Sequence, residues 1–93
     1  MPSKRDITRE VQGLKDIQKS KTFRHQTGLG DSNDEAIEAQ IEALENGVCE
    51  DDISDWESSR RYSQYACDAA MYMVRWLEGK DKTTPTGYWD NLH

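Results

Sequence analysis

The chain has 93 residues, 34% of them apolar and 32% charged, and is close to the lower size at which a domain buries a stable core alone. Its formal net charge of −6 and pI near 4.8 argue against DNA binding, because DNA-binding domains are usually basic. Because the core must be small, we expect the chain to self-associate, most simply as a homodimer.

The N-terminus and the cysteines bear on the compartment. No apolar run follows the basic residues of MPSKRDITRE, so the sequence predicts neither a signal peptide nor a membrane span. Cys49 and Cys67 are then expected to be reduced thiols of a cytoplasmic protein. His25 and His93 lack the Cys–His spacing of zinc sites, and we expect no metal and no cofactor.

The first predicted element is an amphipathic helix in DITREVQGLKDIQKS. Its apolar residues recur at helical spacing, and Asp6 near its start precedes lysines near its end, an order that suits the helix dipole. Gly13 should weaken this helix by about 1 kcal/mol relative to alanine. Residues 25–33, HQTGLGDSN, hold two glycines and several small polar residues, and they predict a loop.

A second helix is predicted from about Asp34 to Asn46, capped by Ser32 or Asn33 and ended by Gly47. One of its faces carries isoleucine and leucine, and another carries alanine. The third face carries Glu35, Glu38, Glu42 and Glu45. The helix is therefore expected to pack on two flanks and to show water a narrow row of carboxylates.

A third and longest helix is predicted from residue 51 or 52 to residue 77 or 78, ahead of Gly79. Apolar residues cover much of its circumference, although Arg60 and Ser63 interrupt the stripe. Such a helix needs neighbours on two sides, so we predict that it also forms a self-association seam. The seam consists of Trp56, Tyr65, Tyr72, Met73, Val74 and Trp76. Alternatively, its aromatic residues stack on a planar ligand.

These elements predict an all-α fold. The chain is expected to form one small three-helix domain over residues 1–93, with a long third helix, a loop at 25–33 and an irregular C-terminal tail. Residues 1–5 and 80–93 are the segments expected to be flexible.

The acidic stretch of residues 34–57 is the strongest candidate for a partner-binding site, since it holds ten carboxylates and no Lys or Arg. Four glutamates over about 15 Å of helix approach the charge spacing of one B-DNA strand, about 3.4 Å. We name this candidate site the acidic ridge; it consists of Glu35, Glu38, Glu42, Glu45, Asp51, Asp52 and Asp55. The alternative is a solvated face that only keeps the chain soluble.

Two metal-site patterns in the sequence are incomplete. A calcium-loop pattern starting at Asp31 has Ala36 where the turn requires glycine. Glu35 could begin the paired carboxylate motifs of a helical magnesium pyrophosphatase, but Tyr65 stands where the second motif needs an acid ahead of Asp68. We therefore expect no enzymatic activity.

The function that these features favour is that of a non-enzymatic acidic protein. It would dock on the basic surface of a nucleic-acid-handling protein and inhibit it, as small acidic proteins of phages and mobile elements do. This analogy rests on charge and size alone. Two alternatives stay open: a small helical DNA-binding regulator that uses the basic N-terminal segment, and a helical oligomer that sequesters a small ligand in its aromatic seam.

Overall fold

The computed structural model describes residues 2–19 and 30–90, with the backbone alone at residues 30–32. Every regular element in these ranges is a helix, so the predicted all-α class is confirmed. The helices are α1 (Lys4–Lys19), α2 (Gly30–Asn46), α3 (Glu50–Ser58), α4 (Gln64–Leu77) and α5 (Pro85–Asp90).

The centre of the fold is the contact between α2 and α4. Fully buried alanines line it, and their small side chains let the two helices approach closely. They are Ala36, Ala39 and Ala43 from α2 and Ala66, Ala69 and Ala70 from α4. Around this contact, α1 packs on α2, α3 packs on α4, and α5 contacts both α1 and α4.

The first two predicted helices are confirmed as α1 and α2. Gly47 ends α2 with a φ of 60°, a conformation that glycine adopts without strain. Residues 30–33 are helical, so α2 begins earlier than predicted. Asn33 is buried within α2 and does not cap it. The rest of the predicted loop, residues 25–29, lies outside the described residues.

The prediction of one long third helix is wrong, because α3 and α4 are separated by residues 59–63. Arg60 has a φ of 60°, which a continuous right-handed helix excludes. The Ser63 hydroxyl then accepts a hydrogen bond from the Ala66 amide at 3.3 Å and caps the start of α4. The break lets α3 pack against α4, which a single straight helix could not do.

The prediction of an irregular C-terminal tail is wrong for residues 85–90, which form α5. Thr84 Oγ1 accepts from the Gly87 amide at 3.0 Å, and Pro85 follows in the first helical position. Trp89 is only 1% exposed, so this helix contributes a large side chain to the core. Residues 91–93 lie outside the described range.

Two successive buried hydrogen bonds join α5 to the central helices. Trp89 Nε1 donates to Gln40 Oε1 at 2.6 Å, and Gln40 Nε2 donates to the Ala69 carbonyl at 3.1 Å. Since Gln40 is fully buried, both ends of its amide need partners inside the protein. One side chain of α2 thereby connects α4 and α5.

The crossing of α1 and α5 explains Gly13. A Cβ at this position would lie 2.5 Å from Thr86 Cγ2, so any other residue would force the Thr86 side chain to shift. One turn earlier, the buried carboxylate of Glu10 accepts from the Thr86 amide at 3.1 Å and from its hydroxyl at 2.8 Å. The glycine that weakens α1 therefore permits the docking of α5.

Cys49 is exposed and Cys67 is buried, and both are free thiols. Burial raises the pKa of Cys67, and the nearby charges of Glu57, Asp68 and Glu35 raise that pKa further. None of the helices in the described ranges is long and apolar enough to cross a membrane.

Candidate partner-binding surface

The glutamates of α2 do not form the uncompensated row that the sequence predicts. The clearest case is Glu42, whose Oε1 accepts from Arg61 Nη2 at 2.7 Å and from the Tyr62 hydroxyl at 3.0 Å. Its side chain is only 20% exposed. Burial is the main cause that raises the pKa of Tyr62, and the hydrogen bond to Glu42 raises it further. Glu42 therefore joins α2 to the turn between α3 and α4.

The other three glutamates of α2 also contact neighbouring groups. Glu35 accepts a hydrogen bond from the Ser63 amide at the start of α4. Glu38 accepts one from Gln18 Nε2 at 3.4 Å, and Glu45 lies 3.9 Å from Lys15 Nζ. Part of the charge predicted to face a partner is thus used within the fold.

Arg61 is a residue whose role the sequence did not indicate. Besides its ion pair with Glu42, its guanidinium lies over two aromatic rings, 5.6 Å from the centroid of Trp56 and 5.7 Å from that of Tyr62. A continuous helix would have paired Arg61 with Glu57 on its own surface. Because α3 ends at Ser58, Arg61 points across the turn and binds α2 instead.

The acidic residues of α3 divide into structural and unpaired groups. Asp52 is half-buried and its Oδ2 accepts from the Cys49 amide at 3.0 Å, so it serves as part of a helix cap. Ile53 and Trp56 face the core. The exposed remainder of the circumference carries Asp51 and Asp55 opposite the core and Glu50 and Glu57 on the flank beside Ile53, and we name these four residues the α3 acidic face.

No ion pair within 4 Å involves the α3 acidic face in the described ranges, and α3 has no basic residue in its last turn. Of the predicted acidic ridge, Asp51 and Asp55 are exposed and have no ion-pair partner among the described residues, and Glu50 and Glu57 share both properties. Glu38 is exposed on α2 as well.

Four of the six residues of the predicted self-association seam are buried in the single chain. Met73, Val74 and Trp76 are buried because α2, α3 and α5 cover the apolar arc of α4, and Trp56 is buried on the core side of α3. Tyr65 and Tyr72 remain on the surface, 39% and 43% exposed. Self-association itself stays a prediction, and any surface for it must exclude the buried four.

A groove of about 540 Å³ runs between α1 and α2, and its lining includes Ile41 and charged side chains of both signs. Its mixed lining favours no single ligand class. Among the described residues, no three His, Cys, Asp or Glu side chains are grouped so that they could hold a metal ion. No family model, no curated protein and no solved structure matches this chain.

Glu42→Ala should lower the free energy of unfolding by about 1–2 kcal/mol, because it removes two hydrogen bonds to a carboxylate, both of them charge-assisted, from a partly buried site. Glu38→Ala is the matched control: it removes one long hydrogen bond from an exposed side chain and should change stability by less than about 0.5 kcal/mol. Urea unfolding at neutral pH measures both. Equal effects for the two variants would show that Glu42 is an ordinary surface charge.

Proposed function

We propose that this chain is a non-enzymatic, cytoplasmic acidic binding protein that docks its α3 acidic face on the basic surface of a nucleic-acid-handling protein and inhibits that protein. The observation that carries the proposal is the exposed arc of Glu50, Asp51, Asp55 and Glu57, which has no counter-charge within ion-pair distance among the described residues.

Folding does not account for all of these charges. Acidic side chains in the first turn of α3 are stabilised by the helix dipole, and Asp52 is needed for the cap. Asp55 and Glu57 lie toward the opposite end, where the dipole disfavours negative charge by roughly 0.3–1 kcal/mol per residue. These two carboxylates cost stability in the isolated chain, which supports a role in binding.

The spacing of the charges supports a site that otherwise holds nucleic acid. A helix of nine residues is about 13 Å long, so four exposed carboxylates give about one charge per 3–4 Å of helix axis, spread over roughly 160° of its circumference. One strand of B-DNA carries one charge per about 3.4 Å. Lys and Arg side chains arranged for phosphates would therefore meet carboxylates at a similar density.

The structure weakens the support for both alternatives. Arg9 pairs with Asp6 at 3.1 Å and Lys15 approaches Glu45 at 3.9 Å, so part of the basic charge on α1 is already matched. The aromatic seam proposed to hold a ligand is divided between the core and the surface. The exposed acidic arc remains the better supported site.

The test begins with capture of a partner from a lysate of the source cells, followed by affinity measurements with that purified partner. Asp51→Lys combined with Asp55→Lys should weaken binding at least about tenfold, since each reversal places like charges opposite each other. Binding should also weaken as salt rises, because exposed charges are screened over about 8 Å at physiological ionic strength. DNA or RNA should compete with the chain.

Asp16→Lys combined with Asp90→Lys is the matched control. It changes the net charge by the same amount at exposed positions on α1 and α5 and should alter affinity by less than about twofold. Equal losses of affinity for the two double variants would show that only the net charge matters, and not the α3 acidic face. A partner held at unchanged affinity by the α3 variant would exclude this face from the interaction.

A further inference from the structure

The solvent-facing side of α4 carries the two exposed large apolar side chains of the described residues, Tyr65 and Tyr72. The same side carries Asp68 and Arg75, both exposed, and Met71, which is half-buried. We name these five residues the outer face of α4. Exposed aromatic rings on a helix surface mark a place where another molecule can remove apolar area from water.

The two charged residues of this face lie at equal distances on either side of its centre. Asp68 and Arg75 are seven residues apart, or two helical turns, and Met71 and Tyr72 lie midway between them. Within the described ranges, neither Asp68 nor Arg75 has an ion-pair partner within 4 Å, and the charge nearest in effect to Arg75 is Asp81, whose pKa it helps to lower. An acid at one end and a base at the other make the face complementary to its own antiparallel copy.

We propose that the outer face of α4 is a homodimer surface, occupied by a second copy of the chain packed antiparallel about a two-fold axis near Met71 and Tyr72. In that arrangement Asp68 of each copy meets Arg75 of the other, giving two equivalent ion pairs. A parallel arrangement would place Asp68 beside Asp68. The order of the charges therefore fits a second copy in the antiparallel direction and disfavours the parallel one.

The surroundings of Tyr72 fit this arrangement. Its ring lies 5.1 Å from the ring of Tyr88 on α5, a tilted pair that holds it in place. Beside it is an open depression of about 490 Å³, lined by Asp68, Met71, Tyr72, Arg75 and Asp81. This depression gives room for the Tyr72 side chain of the second copy. The surface is separate from the α3 acidic face, so it does not depend on the proposed function.

Charge reversal tests the pairing directly, with sedimentation velocity of the full chain at about 100 μM and low salt as the measurement. Asp68→Arg and Arg75→Asp should each remove the dimer, because each places like charges opposite each other twice. Their equimolar mixture should restore a dimer, since every contact then joins opposite charges. The double variant Asp68→Arg/Arg75→Asp should dimerise alone. Each single reversal should weaken association at least about tenfold.

Both single variants keep a net negative charge, so recovery in the mixture cannot come from attraction between net charges. Lys4→Asp and Asp16→Arg, exposed positions on α1, serve as matched controls and should leave association unchanged. Helical circular dichroism confirms that each variant folds. A wild-type chain that sediments as a 10.7 kDa monomer overturns the proposal, and so does a wild-type dimer that the single reversals leave intact.

Discussion

Val74→Asp should unfold the single chain rather than only prevent its self-association. Val74 is 2% exposed on α4, within the apolar cluster that α2, α3 and α5 cover. An aspartate there must either bury a charge or raise its pKa and remain neutral, and both outcomes cost several kcal/mol. A domain of this size has only about 5–15 kcal/mol of total stability. Circular dichroism should show the loss of cooperative thermal unfolding.

Tyr72→Asp is the control on the same helix, two residues away. Tyr72 is 43% exposed, so the substitution should preserve the helical signal and most of the stability. Through the homodimer proposal it should reduce self-association. If Val74→Asp instead gave a folded, cooperatively melting monomer, Val74 would belong to an intermolecular seam as the sequence suggests.

The periodicity of the sequence was sufficient to predict α1 and α2. Val11 and Leu14 recur at helical spacing and are buried, and Ala36, Ile37 and Leu44 occupy the faces expected to be apolar. In these segments a single helical register holds from end to end. Local pattern and tertiary burial therefore agree.

The long third helix shows where periodicity fails. The apolar stripe of the predicted helix runs through residues 59–63 only if the polar side chains of Arg60 and Ser63 lie on its apolar side. The structure resolves this conflict by ending α3, placing Arg60 at positive φ and using Ser63 as a cap. Ser63 was a visible cap signal, but a serine within a periodic stripe does not by itself require a break.

The candidate site could be predicted only in part for the same reason. A sequence shows that Glu42 has no base three or four residues away, but it does not show that Arg61 reaches it across a turn. Pairing between residues 19 positions apart depends on the break between α3 and α4. The total acidic charge can be read from the sequence. Which carboxylates stay unpaired depends on the tertiary fold.

Gly13 is a second residue whose role depends on a tertiary contact that the local sequence does not reveal. Local propensity predicts only that it weakens α1, and nothing in the neighbouring residues indicates a partner. Its use becomes visible once α5 crosses α1 at Thr86. The cap of α5 was more accessible, because Thr84 followed by Pro85 is a typical helix start.

Trp89→Ala should lower the free energy of unfolding by about 3–5 kcal/mol, the usual cost of truncating a buried tryptophan. The indole is 1% exposed, and its Nε1 donates to Gln40 at 2.6 Å. Removing it leaves a cavity beneath α5 and takes away the partner of the Gln40 carbonyl. Urea unfolding followed by circular dichroism measures the loss.

Trp89→Phe separates the two contributions, because it keeps most of the ring volume but cannot donate to Gln40. We expect it to cost about 1–3 kcal/mol, the range for a buried acceptor that loses its hydrogen bond. Thr83→Ala, at a half-buried position just before α5, is the control for a general effect of altering this segment and should change stability by less than about 1 kcal/mol. A flexible tail predicts no loss of stability for any of these variants. If Trp89→Ala unfolded at the same urea concentration as the unmodified chain, α5 would not be part of the core. The contacts of Thr86 with Glu10 and Gly13 would then not stabilise the fold.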